Sequence, residues 1–426
     1  VQISDTEILS EDVFQASGLA NDFGARSRLG IYVHVPFCPH ICPYCDFVKT
    51  ARFTRNDVHA YFAALIRQFD FLISSVPHHI RAVTVYLGGG TPSLFPPEMY
   101  QPLIEKISSR FEIEEFTVET NPFSNLDRHF NQWLNLGVTR VTLGAQSLAP
   151  EVLTYLGRKH TPADVIRNIE SARAAGIKNI QVDVIFGIKG SVQERDVARE
   201  IELLARHGAT GVSCYLLTIE ESTAFRDEQN APDESVVDEY SRILKVCERL
   251  GFEQHETSNF SQSPSIHNRL YWYGLPYLGI GTGAHGLLPA SDAHPLGRRY
   301  QVGEMKQRTI PGDDSLPFRD ESSRLFEIQW AEGQRSRADA LQEMLLTLLR
   351  TKHGIPLQWF SAQYSEQTLL RLWEDIRLKK ALEAGFILLS QTHLTLSPME
   401  KIRGDSWALH LASVLHPSVA PAGTSI

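Results

Sequence analysis

The stretch IYVHVPFCPHICPYCDF, residues 31–47, sets the terms on which the rest of the chain is read. It opens with a β-branched run, IYVHV, and passes into a loop that carries Cys38, Cys42 and Cys45 as C-x3-C-x2-C, with Phe47 two places beyond. The chain holds 5 cysteines in 426 residues, an odd number far below the density of a disulfide-built secreted domain, so the thiols are expected reduced. A closed zinc site needs four Cys or His ligands; His40 lies inside the loop and can complete such a set, while Cys214 and Cys247 stand alone. Three thiolates also suit an iron–sulfur cluster with one iron left to a ligand that is not protein. An inert group of buried cysteines is the remaining reading.

Outward from this loop, short β-rich runs alternate with amphipathic segments. The runs are IYVHV (31–35), AVTVYL (82–87), FTVE (116–119), RVTLG (140–144), IQVDVIF (180–186) and VSCYLL (212–217). Helical patterns lie between and after them, such as DVHAYFAALIRQFDFLI (57–73) and ESVVDEYSRILKVCERLG (234–251). Such alternation gives a parallel sheet with right-handed crossovers. Six units are too few to close an eight-stranded barrel, and the expected fold is α/β, an open partial (βα)6 barrel. Chemistry in parallel α/β folds gathers at the carboxyl ends of the strands. There this sequence places the cysteine loop, Gly88-Gly89-Gly90-Thr91-Pro92, Glu119 with Asn121-Pro122, Gln146, Asp183, and Leu216 to Glu220. Glu119, Gln146 and Asp183 each read alone as surface or capping residues; together, on successive strand ends, they point at one mouth. The glycines let a ligand approach bare backbone or only turn the chain.

A net charge of −9 argues against a protein that coats nucleic acid, and no apolar run reaches the ~18 residues that span a bilayer. The reading therefore has no nucleic-acid partner and no integral membrane segment. The opening VQISDTEILSEDVF (1–14) has neither a basic n-region nor an apolar h-region, so it reads as neither secretory signal nor transit peptide, and the cytoplasm is expected. Three parts are expected: an N-terminal extension over 1–30, a core over 31–300, and a connector with a small C-terminal domain over 301–426. The connector is the polar, turn-rich GEMKQRTIPGDDSLPFRDESS (303–323). Beyond it, ADALQEMLLTLLRTKHG (338–354) shows Leu341, Met344, Leu345, Leu348 and Leu349 at helical spacing and stops at Gly354. A second helix over SEQTLLRLWEDIRLKKALEAG (365–385) and a hairpin over FILLSQTHLTLS (386–397) complete a winged-helix-like module. Its second helix mixes acidic and basic side chains, which suits packing or capping better than reading DNA.

The cysteine loop after the first strand, with GGGTP after the second, resembles the radical S-adenosylmethionine (SAM) superfamily. The resemblance implies a [4Fe-4S] cluster on Cys38, Cys42 and Cys45 whose fourth iron is chelated by SAM. The stretches YVHVPFC, LGGGTPS, VETNP, GVTRVTLGAQS, LGRKH, IQVDVIFG and LLTIEESTAF, spread over residues 31–225, are similar to one branch of it. That branch holds oxygen-independent coproporphyrinogen III oxidase and the HemW-like heme chaperones. By those motifs Tyr32, Gly89, Gly90, Thr91, Glu119, Gln146, Arg158, Asp183 and Leu216 are implied to line the SAM site. Arg158 can hold a carboxylate, and Gln146 and Asp183 can hydrogen-bond ribose hydroxyls.

The oxidase continues its cysteine motif with a further Cys where this chain has Phe47, as the chaperones do. Residues 255–286, HETSNFSQSPSIHNRLYWYGLPYLGIGTGAHG, contain His267-Asn268-Arg269-Leu270-Tyr271-Trp272. This is similar to the H-N-x-x-Y-W pattern associated with heme in that family, and it implies His267 as a heme ligand. A His near a Tyr and a Trp is equally read as a packed loop. The resemblance implies a chaperone that binds heme and passes it to apo-hemoproteins without coproporphyrinogen oxidase activity, and it leaves a homodimer open. The rival is a radical enzyme acting on coproporphyrinogen III or another tetrapyrrole. The chain departs from the family at Lys189, where proline is usual, and the C-terminal module matches only loosely.

Overall fold

The computed structural model describes residues 28–122, 129–189, 195–291, 293–294, 296–303, 328–331 and 336–416. All six expected strands form: β1 (Arg28–Val35), β2 (Ala82–Gly89), β3 (Glu112–Thr120), β4 (Arg140–Gln146), β5 (Asn179–Phe186) and β6 (Gly211–Leu216). Each pairs in parallel with the next. The sheet then runs past both ends of this set. β7 (Glu253–Gln254), β8 (Asn259–Ser261), β9 (Tyr277–Ile280), β10 (His285–Leu288), β11 (Arg298–Val302) and β12 (Ile328–Trp330) extend it to the order β12-β11-β10-β9-β1-β2-β3-β4-β5-β6-β8-β7. Of the added strands β9 lies parallel to β1, and the others pair antiparallel. Strands this short carry too few residues for a period to show in the sequence. β12 also lies beyond the expected core boundary at 300, so the sheet takes its last strand from the segment assigned to the connector. The N-terminal extension up to residue 27 and most of the connector, 304–327, lie outside the described residues.

Alternation along the strands separates two chemistries. Leu29, Ile31, Val33, Val35, Val83, Val85, Leu87, Val141, Leu143, Val182 and Val184 share one apolar core with buried residues of the helices Arg55–Ile73 and Pro162–Ala175. Both helices start from a threonine capping box, Thr54 with Asp57 and Thr161 with Asp164. The alternate residues are polar and face the barrel interior, and His34, Thr84, Glu115, Thr117, Arg140, Gln181 and Ser213 among them are buried. A lumen lined this way binds something or has to be plugged, because buried polar groups need partners.

A short helix, Ile266–Trp272, plugs the amino-terminal half of the lumen. Glu115 of β3 accepts from the Ser265 hydroxyl (2.9 Å) and from the backbone N–H groups of Ile266 (3.1 Å) and His267 (3.0 Å). Arg140 of β4 lies 3.2 Å from the same carboxylate and donates to the carbonyls of Ser263 and Pro264, both at 3.0 Å. On the helix's far side Leu270, with Tyr273 and Leu275 just beyond it, joins a second apolar core built on Leu341, Leu345, Leu348, Trp359 and Leu411.

That second core is the C-terminal module: the helices Arg337–Arg350, Leu357–Gln363, Glu366–Glu374, Ile376–Glu383 and Gly404–Leu415 around a small sheet. The sheet is β13 (Ile355–Pro356), β14 (Ile387–Leu389) and β15 (His393–Leu396), in the order β13-β15-β14, and the expected hairpin is β14–β15. The single helix expected over 365–385 is two. Asp375 leaves the helical conformation (ψ 126°), and its carboxylate accepts from the N–H of Leu378 at 2.7 Å, starting a new helix.

Removing the Glu115 carboxylate leaves Arg140 buried and uncompensated and strips the plug helix of its cap. Breaking a buried pair in this way costs about 3–5 kcal/mol. Glu115→Ala is therefore expected to lower the unfolding free energy by that amount, read as a lower urea midpoint at unchanged m-value, and a loss below about 1 kcal/mol would show that the plug is held by its apolar face alone.

Candidate functional site

The cysteine loop leaves β1 and is fixed at both ends by backbone bonds. Cys38 donates to the carbonyl of Thr50 (2.9 Å), Thr50 to that of Pro36 (2.8 Å), and Thr91 of the neighbouring loop to that of Phe37 (2.9 Å). Phe37 anchors it, fully buried with its ring 4.8 Å from Phe53, 5.2 Å from Tyr61 and 5.5 Å from Phe95. The glycines after β2 serve this packing first. Gly89 has φ +106°, and a Cβ there would meet the His34 ring at 2.5 Å; one on Gly90 would meet the Pro36 carbonyl carbon at 2.7 Å. They let two loops touch, and their backbones then form one wall of the cavity above.

That cavity, of about 340 Å³, opens at the carboxyl ends of the strands. Cys38, Cys42, Cys45, Gly89, Gly90, Thr91, Glu119, Gln146, Arg158, Asp183 and Leu216 all line it. Of the expected SAM-site residues only Tyr32 is not on its wall: its hydroxyl lies 3.0 Å from Nδ1 of His34 and its ring packs 6.0 Å from Tyr86. Sequence reading passed over Tyr44 and Tyr215, which also line the cavity, and gave no role to Asn121. Asn121 donates to Thr91 (2.9 Å) and accepts from Arg158 (2.5 Å), joining two loops, and its signal was the Asn-Pro pair that ends β3.

The sulfurs have donors. Thr91 Oγ1 stands 3.6 Å from Cys38 Sγ and Arg158 Nη1 3.6 Å from Cys42 Sγ. Burial pushes the Cys38 thiol up to about 11 and raises that of Cys45. His40, the fourth ligand the zinc reading needs, has Nε2 3.8 Å from Cys42 Sγ. Among the described residues no three His, Cys, Asp or Glu side chains close around a single ion.

The polar groups are arranged for a ligand. Glu119 accepts from Tyr86 Oη (2.9 Å) and from the N–H of Gly89 (3.0 Å). Burial raises its carboxyl to about 7 against the lowering effect of those two bonds. Asp183 is also raised to about 7, by burial first and then by the charge of Glu119. Its Oδ1 is buried without a partner, and so is Nε of Arg158. Gln146 has φ +67°, the one left-handed non-glycine among the described residues, and this unfavourable backbone ends β4 with its side chain on the cavity. An unmatched acceptor, an unmatched donor and three thiols around one cavity suit an amino acid-bearing nucleoside beside an iron–sulfur cluster.

His267 lies elsewhere. It is fully buried beneath this cavity, with Nδ1 2.7 Å from the Thr84 hydroxyl and Nε2 2.6 Å from the Tyr271 hydroxyl. Its ring stacks on Tyr86 at 5.0 Å, and burial lowers its pKa to about 3. The imidazole is neutral, so one hydroxyl donates to it and the other accepts. The expected heme ligand thus has both ring nitrogens engaged within the fold and shows no surface to a macrocycle in this conformation.

A cysteine loop of this spacing on the first strand of a parallel half-barrel, facing such a cavity, defines a radical SAM protein, and residues 32–204 match the family model described as "Radical SAM superfamily". The structure is similar to that of coproporphyrinogen III oxidase (HemN) from Escherichia coli, with TM-score 0.70 over 96% of this chain and 94% of that one at 16% identity, a likeness of fold. Within the superfamily the chain belongs to the HemW heme chaperone family. It is 34% identical to the Lactococcus lactis heme chaperone HemW over 281 residues, 62% of this chain and 71% of that protein. It is 30% identical to the Bacillus subtilis one over 390 residues, 88% of this chain and 96% of the relative. Mouse radical S-adenosyl methionine domain-containing protein 1, mitochondrial, is 30% identical over 399 residues, covering 88% and 85% of the two chains. Among the described residues no helix is long and apolar enough to cross a membrane.

The paired carboxylates give a pH signature. A carboxyl whose folded pKa is raised stabilises the fold below its unfolded value near 4 and loses that contribution as pH rises through about 7. Asp183→Asn removes the titration, so its melting temperature relative to wild type, both without ligand, is expected to climb between about pH 4 and pH 7 and to level off above that. A difference independent of pH would mean that Asp183 is ionised throughout.

Proposed function

We propose that this chain is a heme chaperone that takes up heme and hands it to apo-hemoproteins, with a [4Fe-4S] cluster on Cys38, Cys42 and Cys45 and SAM in the cavity beside it. The observation that carries the reading is the cavity wall, where Asp183 Oδ1 and Arg158 Nε are buried without partners within reach of the same three-cysteine loop. When bound, the cluster supplies a one-electron centre and a coordination site for the amino acid end of SAM. The chain's own part is to hold and orient. Arg158 receives the carboxylate, the carbonyls of Gly89 and Gly90 the ammonium, and Asp183 and Gln146 the ribose hydroxyls, while Leu216 offers apolar contact to the base. Thr91 and Arg158 donate towards the Cys38 and Cys42 sulfurs, which favours the thiolate form a cluster needs. Phe47, 64% exposed at the lip of the cavity, puts an apolar ring where the oxidase motif continues with a thiol.

Anaerobic reconstitution is expected to give about four irons per chain, with hemin bound by the same sample and passed to an apo-hemoprotein. With SAM and reductant, coproporphyrinogen III is expected to remain unconverted. Asp183→Ala and Arg158→Ala should each weaken SAM binding roughly ten- to a hundredfold, the loss of a hydrogen bond to a charged group, with iron content unchanged in Asp183→Ala, which touches no cysteine sulfur. Stoichiometric zinc without iron would overturn the cluster, and formation of protoporphyrinogen would replace the chaperone by the oxidase.

A further inference from the structure

β4 borders two cavities. Its Thr142 lies on the wall of the upper one and on that of a second, lateral cavity of about 190 Å³ beside the plug helix, while Gly144 and Gln146 reach the upper one alone. Just there the strand loosens from its neighbours. Its pairing with β3 ends at Leu143. On the other side Leu143 pairs with Val182 and Gln146 with Val184, so three steps along β4 match two along β5, a bulge with one residue to spare. A strand end released in this way needs other partners for its backbone. Side chains supply them: Arg158 donates to the carbonyl of Gly144 (2.6 Å), His160 to that of Ala145 (3.1 Å) and Arg195 to that of Gln146 (3.4 Å). Burial lowers the pKa of His160 to about 4, so its imidazole is neutral and donates through Nε2.

Arg195 does more than meet one carbonyl. Its Nη1 donates to the carbonyl of Ile185 on β5 (2.7 Å), a residue that also lines the upper cavity. Its Nε and Nη2 meet the two oxygens of Glu200 at 3.0 and 3.1 Å. Glu200 sits in the first turn of the helix Val197–His207 and accepts from the Ser147 hydroxyl (2.9 Å) and from the N–H of Leu148 (3.0 Å), the two residues that follow Gln146. The side chains of Arg195 and Glu200 are only 4% and 10% exposed, and neither lies on the cavity wall. One ion pair thus grips the ends of two strands from behind the site.

We propose that the buried Arg195–Glu200 pair is a positioning device for the SAM site: it clamps β4 to β5 across the bulge and holds Gln146 in its left-handed conformation with the side chain on the cavity. This rests on the SAM reading above, in which Gln146 meets a ribose hydroxyl. A non-glycine residue at φ +67° persists only where its surroundings over-determine it, and here its carbonyl and both residues after it are tied to the same pair. The guanidinium suits the task because its N–H groups form a rigid fork that reaches two carbonyls and a carboxylate at once, which a single ammonium does not.

The test uses the full chain, reconstituted anaerobically, and two probes: SAM, which carries the ribose, and methionine, which carries only the amino acid end. Binding of each is read from the perturbation of the reduced cluster's EPR signal. Arg195→Lys keeps a cation beside Glu200 but loses the fork, and is expected to weaken SAM roughly tenfold while methionine affinity and iron content stay at wild-type values. Gln146→Gly accepts the left-handed conformation without strain and removes the positioned side chain, so it is expected to weaken SAM by about the same factor. Added to Gln146→Gly, Arg195→Lys is expected to cost nothing further, the non-additivity of two residues that act through one contact. Should Arg195→Lys not fold, Ser147→Ala removes one tie to Glu200 and leaves the ion pair; it is expected to weaken SAM alone by about threefold, and only where Gln146 is present. Full SAM affinity in the folded variant would overturn the clamp. Equal losses for SAM and methionine, or additive losses in the double variant, would overturn it as well, because they mark a general support of the fold. A wild-type chain that holds iron but binds neither probe would overturn the SAM reading itself, and unaltered SAM affinity in Gln146→Gly would overturn the ribose contact on which the positioning role depends.

Discussion

The Glu115 carboxylate is the point at which the barrel, the plug helix and the C-terminal module become one structure. It is buried inside a lumen built of strands whose inward positions are polar, and it satisfies three donors at the start of one helix while facing a single guanidinium. A helix of seven residues has little intrinsic stability in water. This one persists because its first turn is capped from the barrel and its Leu270 is buried against the module. Either attachment alone would leave the other partner with exposed apolar surface or unmatched polar groups. The lumen is therefore filled at its amino-terminal half by backbone, which confines ligand space to the strands' carboxyl ends and to the lateral gap beside the helix.

The upper cavity shows why a cationic ligand suits this barrel. Two carboxyl groups, Glu119 and Asp183, are buried close enough for the charge of one to raise the pKa of the other. Like charges under low dielectric are costly, and protonation relieves that cost when nothing else does. A ligand bringing positive charge and hydroxyl donors relieves it better, because each carboxylate then meets a partner. The binding energy is concentrated in groups already held in place: Glu119 by Tyr86 and Gly89, and Arg158 by Asn121 and the Gly144 carbonyl. The protein supplies a rigid, charge-biased socket, and the Gln146 backbone carries the strain of completing it.

How much of this was legible in the sequence follows from the range of each signal. The six parallel strands were readable because alternation and β-branched runs are local, and the upper cavity was readable because the carboxyl ends of such strands converge by topology alone. All of its expected residues fall on one wall except Tyr32, which sits one layer below. The short strands β7 to β12 carry no period of their own and exist by pairing with an edge. Asp375 hid inside a convincing helical pattern, since an acidic residue fits an exposed helix face as well as a cap; only tertiary packing decides which. The orientation of His267 belongs to the same class. A motif on a seven-residue helix names the side chains without fixing the phase of the helix against the barrel, and that phase was set by Glu115, more than a hundred residues away in sequence.

Phase has a further consequence, because it makes the floor of one cavity the roof of the other. Tyr86 bonds Glu119 through its hydroxyl and stacks on His267 through its ring, while Thr142 and Tyr215 face both spaces. Tyr86 takes one Glu119 oxygen and the Gly89 N–H the other, and the imidazole under the Tyr86 ring has both nitrogens engaged. That imidazole belongs to the plug helix, whose other face carries Asn268, Arg269 and Trp272. Close packing leaves no slack between these groups. The two spaces are therefore separated by a wall one side chain thick, made of Thr142 and Tyr215 with Tyr86 beside them.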